Sequence, residues 1–167
     1  MPPRVSSTSG AEGIAGFTLT ELVIVIAMLG ILASVGVVRY FDTTSFQEDF
    51  FVEDVRGALG WARKLAVASG CEVQVTIGGG GYELRQRPGC TGGGFSVPVS
   101  HPTAGTPGYA SSAPTGVPLS SSVSPIVFDA LGRARNSGGA VVDVTISVGG
   151  RTLSTVGETG FVHVPGA

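Results

Sequence analysis

The sequence carries little charge, few cysteines and few histidines, and each shortage excludes a class of function. Only 13% of the 167 residues are charged, about half the usual share. The 10 basic and 12 acidic residues give a formal net charge of -2, which excludes nucleic-acid binding by bulk electrostatics. Two cysteines allow one disulfide and exclude a zinc site made of cysteines alone. With two histidines and no phosphate-binding loop, we expect no enzyme, no metal site and no cofactor.

Apolar residues are concentrated near the N-terminus. The segment 17–38 reads FTLTELVIVIAMLGILASVGVV, and Glu21 is its one charged residue. As a helix it covers about 33 Å at 1.5 Å per residue, enough to cross a bilayer core of about 30 Å. Arg39, Tyr40 and Asp42 follow, as is typical of a membrane interface. The pattern predicts a transmembrane helix over 17–38.

Two simpler interpretations of this segment are a cleaved secretory signal and a plain membrane anchor. A secretory signal has a shorter apolar core, a basic front and an A-x-A-like cleavage site, whereas the residues before 17 contain one Arg and one Glu. A plain anchor leaves Glu21 unexplained, because a carboxylate within an apolar membrane helix costs about 2.5–3.5 kcal/mol. A partner for Glu21 is therefore expected.

The string Gly16-Phe17-Thr18-Leu19-Thr20-Glu21, followed by the apolar run, closely resembles the N-terminus of type IV pilins and type II secretion pseudopilins. The resemblance implies that residues 1–16 are a leader, which a prepilin peptidase removes by cutting between Gly16 and Phe17. It also implies that Phe17 becomes the N-methylated first residue. Glu21 then assists subunit assembly by neutralising the terminal amine of the same or a neighbouring subunit.

The spacing of apolar residues in the segment 39–69 predicts an amphipathic helix, which we expect on the periplasmic side. Apolar residues recur at three- and four-residue steps and form one stripe: Phe51, Val55, Leu59, Ala62, Leu65 and Ala66. Ser45 and Glu48 fit a capping box, which would allow a break or bend before the helix. No proline interrupts the segment, so one helix over 17–69 is equally allowed, and Gly70 suits its end.

A β-hairpin with a pair of cysteines at its base is predicted next. Two alternating apolar and polar segments flank Gly79-Gly80. Centring the turn there places Cys71 opposite Pro88, with Cys90 two residues further on. We predict a Cys71–Cys90 disulfide in the oxidising periplasm, with a pair of free thiols as the alternative.

The β-rich domain, 70–167, contains an unusual stretch at about 91–124. Charged residues are absent from it, and prolines stand among Gly, Ser and Thr, which favours a long loop or short irregular strands. Its apolar residues have two interpretations. They contact a partner, or the stretch is an insertion that the fold tolerates and that has no function of its own. These residues are Phe95, Val97, Val99, Tyr109 and Leu119.

The last forty or so residues predict the most regular β structure. A strand at 125–129 precedes a polar turn region at 130–139, and Gly149-Gly150 makes a two-residue hairpin turn. The strings IVFDALGRA and TVGETGFVHV resemble the GspH/FimT branch of minor pseudopilins and minor pilins, including type II secretion system protein H. The expected fold is α+β and pilin-like. Its long N-terminal helix, membrane-embedded in the first half, packs on a C-terminal antiparallel β-sheet domain.

The resemblance implies a structural function. We expect a minor pseudopilin of a type II protein secretion system, anchored in the bacterial inner membrane by a single pass with its C-terminal domain in the periplasm. Expected partners are the prepilin peptidase, other minor and major subunits, the inner-membrane assembly platform and membrane lipid. The alternative is a FimT-like minor type IV pilin in pilus biogenesis, with a role in DNA uptake.

Nucleic acid is not expected as a partner. DNA-binding members of the FimT branch resemble one another in a Gly-Arg-x-Arg string near the C-terminal end, where this chain has Gly160-Phe161-Val162-His163. A similar string occurs earlier, and its Arg133 and Arg135 are the two positions that could make a weak DNA contact. A few phosphate contacts of this kind give only weak, salt-sensitive affinity.

Overall fold

The chain divides into two compact units. The units are Met1–Asp42 and Thr43–Ala167. The computed structural model describes residues 17–40, 43–90, 92–103 and 108–165, with side chains throughout except at 33–44. The predicted leader, residues 1–16, lies outside the described residues.

The first unit contains helix α1, Leu19–Tyr40. Its large apolar side chains between Leu19 and Leu32 each keep 47–81% of their surface exposed. In the described part of the chain, no helix combines the length and the apolar character needed to cross a membrane. The predicted transmembrane helix, 17–38, extends beyond the last described side chain of α1, and it stays a prediction.

The second unit begins with helix α2, Thr43–Ser69. The predicted apolar stripe is confirmed: Phe51, Val55, Leu59, Ala62 and Ala66 are buried, and Leu65 is partly buried. The helix ends before Gly70, whose φ of 69° is the left-handed conformation common after a helix.

The expected capping box at Ser45 is wrong. The helix already includes Thr43, and the Glu48 carboxylate instead accepts a hydrogen bond from the backbone N–H of Gly150 at 2.7 Å. The neighbouring Gly149 has a φ of 57°, and a Cβ there would collide with the Glu48 carboxyl group. This contact fixes the beginning of α2 to a β-turn about a hundred residues away in sequence.

Within the described residues, ten short strands form two antiparallel sheets. The first sheet has the order β3-β2-β1-β6-β7, with β4 also paired to β2. Its strands are β1 Val73–Gly78, β2 Gly81–Gln86, β3 Val97–Pro98, β4 Ala110–Ser112, β6 Ile126–Phe128 and β7 Ala134–Arg135. The second sheet has the order β10-β9-β8-β5. Its strands are β5 Leu119–Ser121, β8 Val144–Val148, β9 Arg151–Thr155 and β10 Val162–His163.

The core of the second unit joins one face of α2 to both sheets. Its largest fully buried apolar side chains are Phe128, Leu59, Leu84, Ile126, Ile146 and Leu153. Along β8 burial alternates, as expected for a strand with one face in the core. The register Val148↔Arg151 confirms the predicted two-residue turn at Gly149-Gly150.

The stretch at 91–124 contributes to this core. In its described part, β3 and β4 extend the first sheet and β5 extends the second. Val99 and Tyr109 are only 3% and 6% exposed, so contact with a partner is the wrong interpretation for these two residues. Residues 91 and 104–107 lie outside the described part.

The predicted pairing of the two cysteines is present. The β1–β2 register runs from Gly78↔Gly81 to Val73↔Gln86, which places Cys71 opposite Pro88. A 3-10 turn over Pro88–Cys90 then returns the chain, so the Cα atoms of Cys71 and Cys90 lie 4.8 Å apart and their sulfurs are bonded. The disulfide ties the end of α2 to the end of β2.

Removing this disulfide is expected to destabilise the second unit. In the chain-entropy model, closing a loop of this length stabilises the folded state by about 3 kcal/mol. A Cys71→Ser/Cys90→Ser double variant should therefore melt at a lower temperature than the oxidised protein, and reductant should lower the melting temperature of the parent alone. Unchanged melting of the double variant, or free thiols in the freshly isolated protein, would contradict the structural role of this bond.

Candidate functional site

The N-terminus of α1 carries the first candidate site. The backbone N–H and the hydroxyl of Thr18 donate to Glu21 Oε2 at 3.1 and 2.9 Å. The Glu21 N–H donates in return to Thr18 Oγ1 at 3.3 Å. This reciprocal pair is a capping box, and the Thr-x-x-Glu spacing alone could have predicted it. Glu21 is thereby held at the first turn of the helix.

The position of this carboxylate suits the role that the resemblance implies. A negative charge at a helix N-terminus is stabilised by the unpaired backbone N–H groups and the helix dipole. Thr18, whose N–H reaches Glu21, directly follows Phe17. An amine created at Phe17 would therefore begin one residue from a group already in contact with the carboxylate. Gly16 lies outside the described residues, so cleavage and methylation stay predictions.

The apolar surface of α1 is the second part of this site. Phe17 is 84% exposed, and the side chains that follow it expose apolar surface on every side of the helix. Soluble proteins rarely leave contiguous apolar patches of this kind uncovered, and such patches mark contact with protein or membrane. The first unit thus combines a large apolar surface with one carboxylate at its end.

Arg133 and Arg135 lie in a different cluster, centred on the buried Asp129. Asp129 Oδ1 accepts hydrogen bonds from the backbone N–H groups of Leu131 at 3.0 Å and Arg133 at 2.9 Å. Its Oδ2 contacts the Arg133 guanidinium at 2.9 Å and that of Arg135 at 2.7 Å. Arg133 and Arg135 belong to the predicted polar turn region, 130–139. This region also contains strand β7, which pairs with β6.

The hydrogen bonds determine the charge state of Asp129. Burial opposes ionisation, but hydrogen bonds from the backbone and side chain of Arg133 and from Leu131, with the charge of Arg135, outweigh it. They hold the pKa of Asp129 below its ordinary value. The cluster therefore carries a net charge of about +1 at neutral pH, and both guanidinium groups are already engaged. Weak DNA contact by Arg133 and Arg135 stays a prediction with little free charge to support it.

A buried tyrosine connects α2 to the first sheet. Tyr82 Oη donates a hydrogen bond to Asp54 Oδ2 at 2.8 Å. Burial, together with this hydrogen bond and the charge of Asp54, raises the pKa of Tyr82 far above its ordinary value. Burial and the charge of Asp54 also raise the pKa of Tyr109. Both phenols therefore stay protonated at physiological pH, and Tyr82 remains a donor to α2.

Among the described residues, no group of three or more His, Cys, Asp and Glu side chains is arranged to hold a metal ion. Five of the described acids instead pair with arginines, namely Asp49, Glu53, Glu72, Glu83 and Asp129. The structure does define two sites. One is the capped N-terminus of the exposed helix α1, and the other is the group of β-domain turns that Asp129 holds together.

Comparison with known proteins supports one conclusion, which concerns the fold. No protein-family model and no curated protein matches the sequence. A crystal structure of the type IV minor pilin FimU from Pseudomonas aeruginosa strain PAO1, in space group P21, is 17% identical. The match covers 73% of this chain and 90% of that one, with a TM-score of 0.51. A second crystal form of the same protein, in space group P65, is 19% identical over 67% and 87%, with a TM-score of 0.46.

The chain has the type IV pilin fold. Its helix α2 packs on two antiparallel sheets, and the likeness to the first FimU structure, at a TM-score of 0.51, shows this fold. The predicted fold class is therefore confirmed. At this level of identity the likeness carries no residue roles from FimU to this chain.

Neutralising Asp129 should destabilise the β domain in a pH-dependent way. Asp129→Asn keeps the shape and one acceptor but loses the charge that holds two guanidinium groups, and we expect a loss of about 2 kcal/mol at pH 7. Because the folded pKa is lowered, the parent's stabilisation is present above the unfolded value of about 3.9 and is lost as pH falls through the folded pKa. Urea unfolding at pH 7 and pH 3 measures both effects.

The difference between the two proteins should therefore be largest at pH 7 and smaller at pH 3. Glu83→Gln is a matched control, because Glu83 also contacts an arginine but lies on a half-exposed surface, where such pairs contribute little. Equal losses from the two substitutions would remove the special role of Asp129.

Proposed function

We propose that this protein is a minor pseudopilin, a structural subunit of the pseudopilus of a type II protein secretion system. A prepilin peptidase cuts it between Gly16 and Phe17 and methylates Phe17. The processed helix then packs among other minor and major subunits, and the β domain lies at the filament surface. Export of proteins across the outer membrane depends on the assembled filament.

One observation carries this proposal: an exposed apolar helix begins with a carboxylate held beside the predicted cleavage point. Packing α1 among other apolar helices removes its side chains from water, which is favourable. The same packing would bury Glu21 and cost about 2.5–3.5 kcal/mol if no partner were present. A free amine at Phe17, on this or a neighbouring subunit, is the cation that offsets this cost.

Before assembly, the segment 17–38 anchors the chain in the inner membrane. The β domain then lies in the periplasm. Two observations support this placement: the apolar surface of α1 and the Cys71–Cys90 disulfide, since disulfides persist in oxidising compartments such as the periplasm. The inner-membrane assembly platform is the expected partner at this stage.

A minor type IV pilin of the FimT kind is the second candidate. The fold likeness to the minor pilin FimU favours it, and the C-terminal strings also resemble this branch. The two candidates share every step of processing and assembly. Deleting the gene and measuring protein secretion and pilus formation in parallel separates them, because each candidate predicts loss of one process only.

Processing should be visible in the mass of the protein. The chain extracted from membranes is expected to have the mass of Phe17–Ala167 plus one methyl group. Gly16→Leu should retain the full leader, because the peptidase must approach this backbone closely. An intact mass that includes residues 1–16 in the parent, or a new N-terminus beyond Val35, would contradict the proposed cleavage.

The charge of Glu21 should matter for assembly more than its capping hydrogen bonds. Glu21→Gln can still complete a capping box but cannot neutralise an amine, so we expect it to insert in the membrane and to be absent from sheared filaments. Thr18→Ala removes the capping hydroxyl and keeps the charge, and it should assemble. The reverse pattern would make Glu21 a helix cap only. Immunoblots of membrane and filament fractions provide the measurement.

A further inference from the structure

Arg63, near the end of α2, is held against two turns of the β domain. A Cβ placed at Gly132 would lie 3.5 Å from Arg63 Cγ, and one placed at Gly160 would lie 3.1 Å from Arg63 Cδ. Both glycines have a positive φ, 79° and 60°, which suits glycine and lets the backbone approach the arginine closely. The turn after β6 and the turn between β9 and β10 therefore both contact the stem of this side chain.

The guanidinium group of Arg63 has no partner within the part of the chain that the structure describes. Its Nε is enclosed by protein but makes no hydrogen bond, and none of the ion pairs involves it. Glu158 belongs to the same turn as Gly160, yet it does not pair with Arg63 either. Enclosed polar groups are nearly always hydrogen-bonded, so an acceptor supplied from outside the chain would explain this arginine.

Exposed apolar side chains are concentrated around Arg63. Arg63 and a hydrogen bond from the Ala134 N–H to the Gly157 carbonyl oxygen, at 2.7 Å, join three segments of the chain: 63–67, 129–135 and 156–161. In the described part of the second unit, seven large apolar side chains are exposed, and four of them belong to these segments. They are Val67, Leu131, Val156 and Phe161.

Strand pairing places two of these four side by side. The N–H of Val156 donates to the carbonyl oxygen of Phe161 at 2.9 Å, which continues the pairing Thr155↔Val162. Residues directly opposite one another in antiparallel strands share a face. Because Thr155 and Val162 are buried, Val156 and Phe161 both lie on the outer face.

The other two meet at the turn after β6. A Cβ placed at Gly132 would lie 3.0 Å from Val67 Cγ2, so Val67 lies against this turn. Leu131 directly precedes Gly132 and is 72% exposed. We use the name Arg63 patch for Arg63 together with Val67, Leu131, Val156 and Phe161. Exposed apolar side chains gathered in this way mark contact with another molecule.

The three segments are basic, although the whole chain has a net charge of -2. They contain four bases against two acids, namely Arg63, Lys64, Arg133 and Arg135 against Asp129 and Glu158. Asp129 already holds two of the bases, whereas Arg63 stands beside the apolar side chains without a described counter-ion. A molecule that covers the patch must supply an anion, because burying an unpaired charge is costly.

We propose that the Arg63 patch binds a different subunit of the same filament, which places a carboxylate, flanked by apolar side chains, on Arg63. A guanidinium group can donate two parallel hydrogen bonds to one carboxylate. The apolar side chains around it exclude water from the pair, as at the centre of protein interfaces. A minor subunit stands among other subunits, so one of these is the occupant. This inference rests on the proposed filament function.

The chemistry of the patch favours a protein carboxylate over DNA or an anionic membrane. Outside the Asp129 cluster, the three segments offer two cations, Arg63 and Lys64. Binding to an anionic membrane typically uses clusters of about four to eight basic residues, and DNA binding also depends on many phosphate contacts. Four exposed apolar side chains contribute to neither kind of electrostatic binding, but they are suited to a protein interface.

Photo-cross-linking tests the occupant in the full chain, expressed in its own cells. Leu131 is replaced by the photoreactive residue benzoylphenylalanine, and each of the other filament subunits carries its own epitope tag. Irradiating the filament fraction should give one cross-linked species that carries the tag of one particular subunit. The same photoreactive residue at Val97, which is 41% exposed and lies outside the three segments, is the control and should not give this species.

Substitutions of Arg63 test the charge. Arg63→Gln should lower recovery in the filament fraction by about tenfold, because removing one partner of a buried charge pair costs at least this much, whereas Arg63→Lys should retain most of it. The control is Arg56→Gln, the same exchange about two turns earlier in α2. Arg56 pairs with Glu53 at the surface, where such a pair contributes little. Both Gln variants should keep the melting temperature of the parent.

The outcomes separate this inference from the proposed function. A parent that is recovered in filaments but cross-links at Leu131 only to DNA, to lipid, to a second copy or to nothing overturns the contact and leaves the filament role standing. Normal recovery of Arg63→Gln does the same. A parent absent from the filament fraction contradicts the proposed function, and this inference with it. As a final measurement, Arg63→Glu should fail to assemble and should recover when the contacting carboxylate of the cross-linked subunit is exchanged for lysine.

Discussion

The burial of one face of α2 against both sheets is the contact on which the second unit depends. The buried stripe from Phe51 to Ala66 joins strands that would otherwise form two small sheets with exposed apolar faces. Both ends of the helix are also fixed. Glu48 holds its beginning to the turn between β8 and β9, and Cys71 holds its end to β2. A single helix thus sets the relative position of both hairpins.

Asp129 performs a comparable role for the turn after β6 and the turn between β9 and β10. Its carboxylate stabilises the turn after β6, because it accepts hydrogen bonds from two backbone N–H groups and forms ion pairs with two arginines. The turn between β9 and β10 packs directly on it, since a Cβ at Gly160 would overlap the carbonyl oxygen of Gly132. A lowered pKa for Asp129 is the electrostatic consequence of this arrangement, and it explains why an apparently basic Gly-Arg-x-Arg string has little free charge.

Periodicity and turn chemistry predict most of the fold. A two-residue glycine turn allows only one register for its hairpin, and an apolar stripe determines which face of a helix is buried. The burial of Val99 and Tyr109 is not predictable in this way, since each is an isolated apolar residue among glycine, serine and proline. For the candidate site, the string around Glu21 predicts a carboxylate at the start of an apolar helix, and the Thr-x-x-Glu spacing in the same string predicts the cap formed by Thr18. The engagement of Arg133 and Arg135 requires knowing that Asp129 is buried.

In the proposed filament, apolar packing and charge pairing have different tasks. Apolar contact between helices is favourable in almost any register, because the hydrophobic effect is non-directional. An unpaired Glu21 in such a bundle costs about 2.5–3.5 kcal/mol, which is a factor of roughly 100 in an equilibrium constant. Registers that leave Glu21 without an amine are therefore strongly disfavoured. The apolar surface of α1 would supply the affinity, and the one carboxylate at its end would select the position of each subunit.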